Sequence, residues 1–194
     1  FTAFVESTEP EEAMNVLREY HAALGELIFK YEGTLDRYAG DGVMVLFNAP
    51  IQFPDHTKRA VKMAVEMRDA IGALTERWRN RGHSLGFGMG IALGYATLGQ
   101  IGFEQRLEYA AIGSVTNLAS RLCDEAKANQ IVVSRRVWGM VEPWVEGRPI
   151  DDLHLKGFNH PVLAAEILRW CGEDEVAARE APAPVETPAR RRKQ

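Results

Sequence analysis

Thr34-Leu-Asp-Arg-Tyr-Ala-Gly-Asp-Gly-Val-Met-Val-Leu-Phe47 is the stretch whose reading decides the fold. Two short apolar runs, one carrying Leu35 and Tyr38 and the other Val43, Val45 and Phe47, meet at Gly40-Asp41-Gly42. Glycine accepts positive φ without a steric penalty, so this pattern predicts a tight β-hairpin. The turn would carry Asp41 out of the sheet. An aspartate there has two uses: it can shape the turn, or it can ligate a hard cation such as Mg²⁺ from the loop tip.

Upstream, Met14, Leu17, His21, Leu24, Ile28 and Tyr31 recur at a near-3.6 period and predict a core-facing helix. Thr8 is its expected cap, with Glu11 three residues on and Pro10 in the first turn, and Gly33 its stop. No second metal-type ligand stands near His21, so a packed histidine is expected. Phe1-Thr2-Ala3-Phe4 reads as the exit of a strand, and the missing initiator Met suggests a piece of a longer protein.

Downstream, two prolines make residues 48–54 a loop, and Asp55 is placed to cap a second long helix. Its stripe is Val61, Ala64, Val65, Arg68, Ile71, Leu74 and Trp78, and Gly82 ends it. Residues 85–98 read as a glycine-rich strand, where Gly86, Gly88, Gly90 and Gly94 imply close approach by another backbone or a ligand. No helix opens directly after these glycines, so they are no dinucleotide fingerprint. Gly99 and Gly102 are expected in a turn-like segment, and residues 106–112 in a strand. Ser114 is expected to cap a helix over residues 115–128, with Val115, Leu118, Ala119, Leu122 and Ala126 inward. Asn117 and Arg121, four apart, share its polar face. Further strands are predicted over 131–133 and 162–168, a short helix over 134–141 and a turn at Lys156-Gly157. The sum is an α+β sandwich with helices on a largely antiparallel sheet. Residues 1–170 form the expected domain, and 171–194, rich in Glu, Ala and Pro, a disordered tail.

The 194-residue chain carries a formal net charge of -4, without the basic face that nucleic-acid binding requires. Cys123 and Cys171 lie far apart, which fits a reducing compartment and provides no zinc site. No apolar run approaches the length of a membrane span. A cytoplasmic location is expected, and membrane contact only through parts outside this chain; the basic end Arg190-Arg-Arg-Lys193 reads as a solvated tail.

Several motifs in order resemble the class III nucleotidyl cyclases, the family that makes cyclic AMP or cyclic GMP from the triphosphate. They are Phe1-Thr2, as the end of a first-strand G-F-T phrase; Gly33-Thr-Leu-Asp-Arg-Tyr-Ala-Gly-Asp-Gly42; Gly88-Met-Gly-Ile-Ala-Leu-Gly94 with Gly99; Tyr109-Ala-Ala-Ile-Gly-Ser-Val-Thr-Asn-Leu-Ala-Ser-Arg-Leu122; and Leu155-Lys-Gly157. The resemblance implies a ferredoxin-like, palm-type sandwich. It also implies two divalent cations, Mg²⁺ or Mn²⁺, held over the triphosphate by two aspartates. Asp41 matches the second aspartate; the first would precede Phe1, so the chain as it stands is expected to turn over weakly or not at all. Phe1 and Thr2 match backbone positions beside the phosphates. Asn117 matches the ribose-orienting asparagine, Arg121 the arginine that steadies charge on the α-phosphate, and Lys156 the lysine on the terminal phosphates. The family's sites are shared between protomers, which implies a homodimer with residues 99–109 as an arm reaching across.

Two positions read the base in the family. Adenylyl cyclases usually carry a lysine four residues before the second metal aspartate, donating to adenine's ring nitrogen, and an aspartate or threonine seven before the ribose asparagine. This chain has Arg37 and Ala110 there. Neither matches the adenylyl or the guanylyl pattern. ATP is the expected substrate, with relaxed ATP/GTP selectivity as an alternative and a non-catalytic dimerising module as a second. A palm that makes a dinucleotide product would need an extra acid that Ala39-Gly40-Asp41-Gly42-Val43 lacks.

Overall fold

The computed structural model describes residues 1–103, 105–172 and 175–176. Two long helices, α2 (Pro10–Lys30) and α3 (His56–Asn80), pack side by side. Pro10 opens α2 where its missing N–H is harmless, and the helix buries Ala13, Val16, Leu24 and Ile28. The predicted stripe is thus turned slightly, leaving Met14 half exposed. From α3, Val61, Ala64, Ile71, Leu74 and Trp78 go inward, and Trp78 Nε1 donates to Glu19 of α2 at 3.0 Å. Gly82, at φ +88, lets the chain turn back, so that the His83 amide donates to the Trp78 carbonyl.

Four strands, β3 (Met89–Ile91), β6 (Ile131–Ser134), β7 (Val145–Leu153) and β8 (Val162–Trp170), form one sheet in the order β3-β6-β8-β7. The β3-β6 pair is parallel and the other two are antiparallel. All four residues of β6 are buried, because the strand is covered on both faces. Ile131 and Val133 enter the main core with α2, α3 and the short helix α5 (Arg135–Val141), while Val132 joins a second cluster with Leu122, Leu155 and Ala164. Each such side chain contributes about 1.5–3 kcal/mol by leaving water. Leu122 belongs to α4 (Ser114–Glu125), on the opposite face of the sheet from α2 and α3.

The hairpin β1 (Thr34–Ala39) and β2 (Gly42–Leu46) is hydrogen-bonded separately, as is the ribbon β4 (Thr97–Phe103) and β5 (Arg106–Ile112). The hairpin and β5 have the predicted limits to within a residue.

Several local expectations are corrected. Residues 2–7 form the helix α1 (Thr2–Ser7), not a strand exit. Thr8 ends α1, and no side-chain cap bond is made by Glu9, Asp55 or Gly113, which occupy the three N-cap positions of α2, α3 and α4. Asp55 accepts from Arg59 Nε at 2.8 Å instead, and Ser114 is the first helical residue of α4 rather than its cap. Within residues 85–98 only Met89–Ile91 is ladder-bonded before β4 begins, and Gly99 and Gly102 lie inside β4. The strand β7 was not predicted. Cys171 and Val176 are buried, and residues 173–174 and 177–194 of the expected tail lie outside the described residues.

Candidate active site

Asp41 stands at the tip of a two-residue turn between the paired residues Ala39 and Gly42, with Gly40 at φ +63. Positive φ at the first turn residue suits the twist of a hairpin. The side chain is exposed. It lines a cavity of about 60 Å³ with Phe1, Tyr20 and Phe87. Burial, reinforced by the charges of Asp41 and Cys123, pushes the Tyr20 phenol well above its ordinary value. Phe1 and Asp41 therefore share one cavity, and Thr2 is exposed at the start of α1.

The helix α4 lies almost flush on β3. A Cβ on Gly90 would stand 2.3 Å from the Cys123 amide nitrogen and 2.4 Å from the Ala119 carbonyl oxygen, and one on Gly88 would stand 2.7 Å from the Ala126 carbonyl oxygen. At Gly88 and Gly90 the glycine is thus explained by backbone meeting backbone, while Gly86 and Gly94 make room for the Ala128 and Val115 side chains. With that face of α4 against the sheet, Asn117 is exposed and Arg121 is partly exposed one turn later. The two do not bond to each other. Arg121 Nη1 donates to Asp124 Oδ2 at 2.9 Å, and its other nitrogens have no partner among the described residues. Burial raises the Cys123 thiol above its usual range, so it is no thiolate nucleophile.

Lys156 is exposed in a turn completed by Gly157 at φ +87. Leu155 is buried in the cluster that holds Leu122, and the Phe158 amide donates to the Leu155 carbonyl at 3.1 Å. The neighbours of Arg121 and Lys156 in the chain therefore share one small core, which ties the backbone at these two positions to the same packing unit.

The strand β1 lies beside β5, and Ala110 of β5 is buried. Arg37 Nε donates to Asp36 Oδ2 at 2.6 Å. Neither Asp36 nor Asp124 was singled out in the sequence. The i,i+3 spacing of Arg121 and Asp124 was a usable signal; nothing short of the strand register marks Asp36.

Asp41 has the hard-oxygen chemistry that Mg²⁺ or Mn²⁺ takes, but one carboxylate is a small part of such a shell. The one group of three metal-type ligands among the described residues is Glu146, Cys171 and Glu175, and there Arg169 donates to both carboxylates. That cluster is an ion-pair network.

The family model described as the adenylate and guanylate cyclase catalytic domain matches residues 1–165. Adenylate cyclase 1 of Rhizobium meliloti is 29% identical over 160 residues, which are 81% of this chain and 24% of that protein. The chain spans about a quarter of the length of that relative. Among solved structures, the adenylyl cyclase CyaB from P. aeruginosa superposes with a TM-score of 0.82 at 31% identity, covering 87% of this chain and 88% of the other. The guanylyl cyclase Cya2 gives 0.81 at 32%, covering 89% and 88%.

Proposed function

Because the chain belongs to the adenylate and guanylate cyclase catalytic domain family, we propose that it is the catalytic domain of a class III cyclase that converts ATP to 3′,5′-cyclic AMP and pyrophosphate. The observation that carries this reading is the outward face of α4. Asn117 and Arg121 stand one turn apart there, with helix and sheet locked behind them by Gly88 and Gly90. In the reaction the ribose 3′-hydroxyl attacks the α-phosphorus and pyrophosphate leaves. Asn117 orients the ribose, and Arg121 meets the charge growing on the α-phosphate with fixed donors that remain protonated. Lys156 binds the terminal phosphates, and the backbone of Phe1 and Thr2 lies beside them. Asp41 would hold divalent cations, Mg²⁺ or Mn²⁺, which supply Lewis acidity to the phosphates and ease deprotonation of the hydroxyl.

Asp41 and the α4 pair would meet across a homodimer, with the β4-β5 ribbon as the reaching arm. The preference for ATP rests on similarity to adenylate cyclases, and the guanylyl cyclase Cya2 is as similar, so GTP is the alternative substrate. A cytoplasmic setting fits two free cysteines.

The test is product formation from ATP and GTP, with Mg²⁺ and with Mn²⁺, in this chain and in one extended upstream, where the family resemblance would put a first metal aspartate. Cyclic AMP from the extended chain, lost at least a hundredfold in Asp41→Ala and in Arg121→Ala, is the expected result. No turnover of either nucleotide at dimer-forming concentration overturns the reading in favour of a non-catalytic module.

A further inference from the structure

In β1, Leu35 pairs with Val45 and Arg37 with Met44, so two steps on one strand face a single step on the other. Asp36 is the extra residue of a β-bulge. Neighbours in a regular strand point to opposite faces; a bulge breaks that alternation and re-aims side chains. Here it brings the Asp36 and Arg37 side chains together at 2.6 Å. The two are not equivalent: the Asp36 side chain is 2% exposed and that of Arg37 55%. Asp36 Oδ1 is buried without a hydrogen-bond partner among the described residues.

Burying a carboxylate with one oxygen unpaired is costly, and an apolar residue of similar size would fill the space at no such cost. The geometry does something that an apolar residue would not. Asp36 takes the Nε–H of Arg37, which fixes the plane of the guanidinium and leaves both terminal nitrogens, unpartnered among the described residues, directed as a two-pronged edge of N–H donors. The strand carrying this edge runs beside β5, where Ala110 presents no side-chain acceptor.

We propose that Asp36 is the positioning residue that fixes Arg37 as a donor-only reader of the purine edge, and that this edge admits guanine alongside adenine. The inference rests on the cyclase reading. A donor-only fork suits guanine, whose O6 and N7 are adjacent acceptors. Adenine offers it one acceptor at a time, because the 6-amino group is itself a donor and Ala110 cannot receive it. Fixing the fork therefore helps guanine more than adenine. It raises GTP toward parity with ATP rather than excluding either.

The experiment uses the upstream-extended chain and measures binding of non-cyclisable ATP and GTP analogues beside steady-state turnover of both nucleotides. The starting protein should bind the two analogues within about tenfold of each other. Asp36→Leu, which fills the buried space without an acceptor, should weaken the GTP analogue about tenfold and the ATP analogue no more than about threefold, and Arg37→Ala should do the same. Because Asp36 acts through Arg37, the double variant should be no worse than Arg37→Ala alone. Should Asp36→Leu not fold, Asp36→Asn keeps the shape, removes the charge, and should shift the ratio the same way by about threefold. Equal losses for both nucleotides, or additive losses in the double variant, would show a merely structural Asp36 and overturn the proposal while leaving the cyclase reading intact. Failure of the extended chain to bind either analogue overturns both.

Discussion

Gly90 of β3 and Cys123 of α4 meet backbone to backbone, so closely that a Cβ on Gly90 would stand 2.3 Å from the Cys123 amide nitrogen. Neither partner is the end of a flexible side chain, so the contact cannot relax without moving the helix. Gly90→Ala is expected to destabilise the fold by about 1–3 kcal/mol, the usual scale of overpacking. It should also cost at least tenfold in activity, since α4 carries Asn117 and Arg121 and catalytic geometry tolerates little displacement. Gly72→Ala inside α3, where nothing lies within 4 Å of the added carbon, is the control and should lower neither. Thermal melting and turnover measured on the two variants check this.

The Arg121–Asp124 pair gives a second expectation. Asp124 is exposed and accepts from Nη1, so it holds the guanidinium along the helix without covering it. An exposed i,i+3 pair contributes about 0.5 kcal/mol or less to stability. Asp124→Asn should therefore melt almost as the parent does, yet lower kcat several-fold by loosening Arg121. Arg121→Ala should lose a hundredfold or more in kcat at similar stability, and Arg121→Lys should recover only part, because a point charge does not replace the planar fork. A melting temperature reduced in step with kcat would assign the pair to folding instead.

The parts of the fold that were legible in the sequence are those set by local chemistry. Gly40-Asp41-Gly42 fixed the hairpin because only that turn satisfies the alternation on both sides, and Gly82 ended α3 through its positive φ. Features decided by distant partners were not legible. Phe1-Thr2-Ala3-Phe4 reads as the exit of a strand, yet residues 2–7 are helical and Phe4 packs with its ring 5.0 Å from that of His83. The strand β7 contains Gly147 and Pro149, residue types that argue locally against a strand; Gly147 is there because Trp138 and the Glu166 carbonyl leave no room for a side chain. The site divides the same way. Asp41, Asn117, Arg121 and Lys156 stand in motifs, whereas the support that Asp36 gives Arg37 depends on a one-residue slip in strand register.

His21 supplies a pH dependence. Its ring lies 5.4 Å from that of Tyr20 and 4.4 Å from that of Tyr38, joining α2 to the hairpin, and its Nε2 is buried without a partner among the described residues. Burial lowers its pKa below the ordinary 6.5. The unfolded chain therefore binds the proton more readily than the folded one, and stability falls as pH falls. The contribution of neutral His21 is fully present above about pH 6.5 and is lost as pH drops through that value toward the depressed folded one. The melting temperature should decline between pH 7.5 and pH 5.5, and His21→Phe, which keeps the ring stacking, should flatten that part of the profile. An unchanged slope in His21→Phe would assign the decline to other groups.

The β4-β5 ribbon carries the last expectation. Ile101 is 45% exposed and Phe103 64%, while Leu98, Tyr109 and Ile112 are also exposed. Among the described residues nothing covers these apolar side chains on a two-stranded ribbon outside the main sheet, and a ribbon of this kind is marginal without a covering surface. A second copy of the chain is the partner the cyclase reading requires, because Asp41 and the α4 pair must meet across it. Charged residues in place of Ile101 and Phe103 should therefore convert dimer to monomer in sedimentation or light scattering. Turnover should fall with the dimer fraction, while the melting of the core sheet, which does not include the ribbon, should move little. The decisive check is mixing an Asp41→Ala chain with an Arg121→Ala chain, each inactive alone. Sites shared between protomers predict that up to about a quarter of the parental activity returns, since in random association half of the dimers are mixed and each of those has one intact site of two. No recovery in a mixture shown to exchange subunits would place all of these residues in one protomer's site.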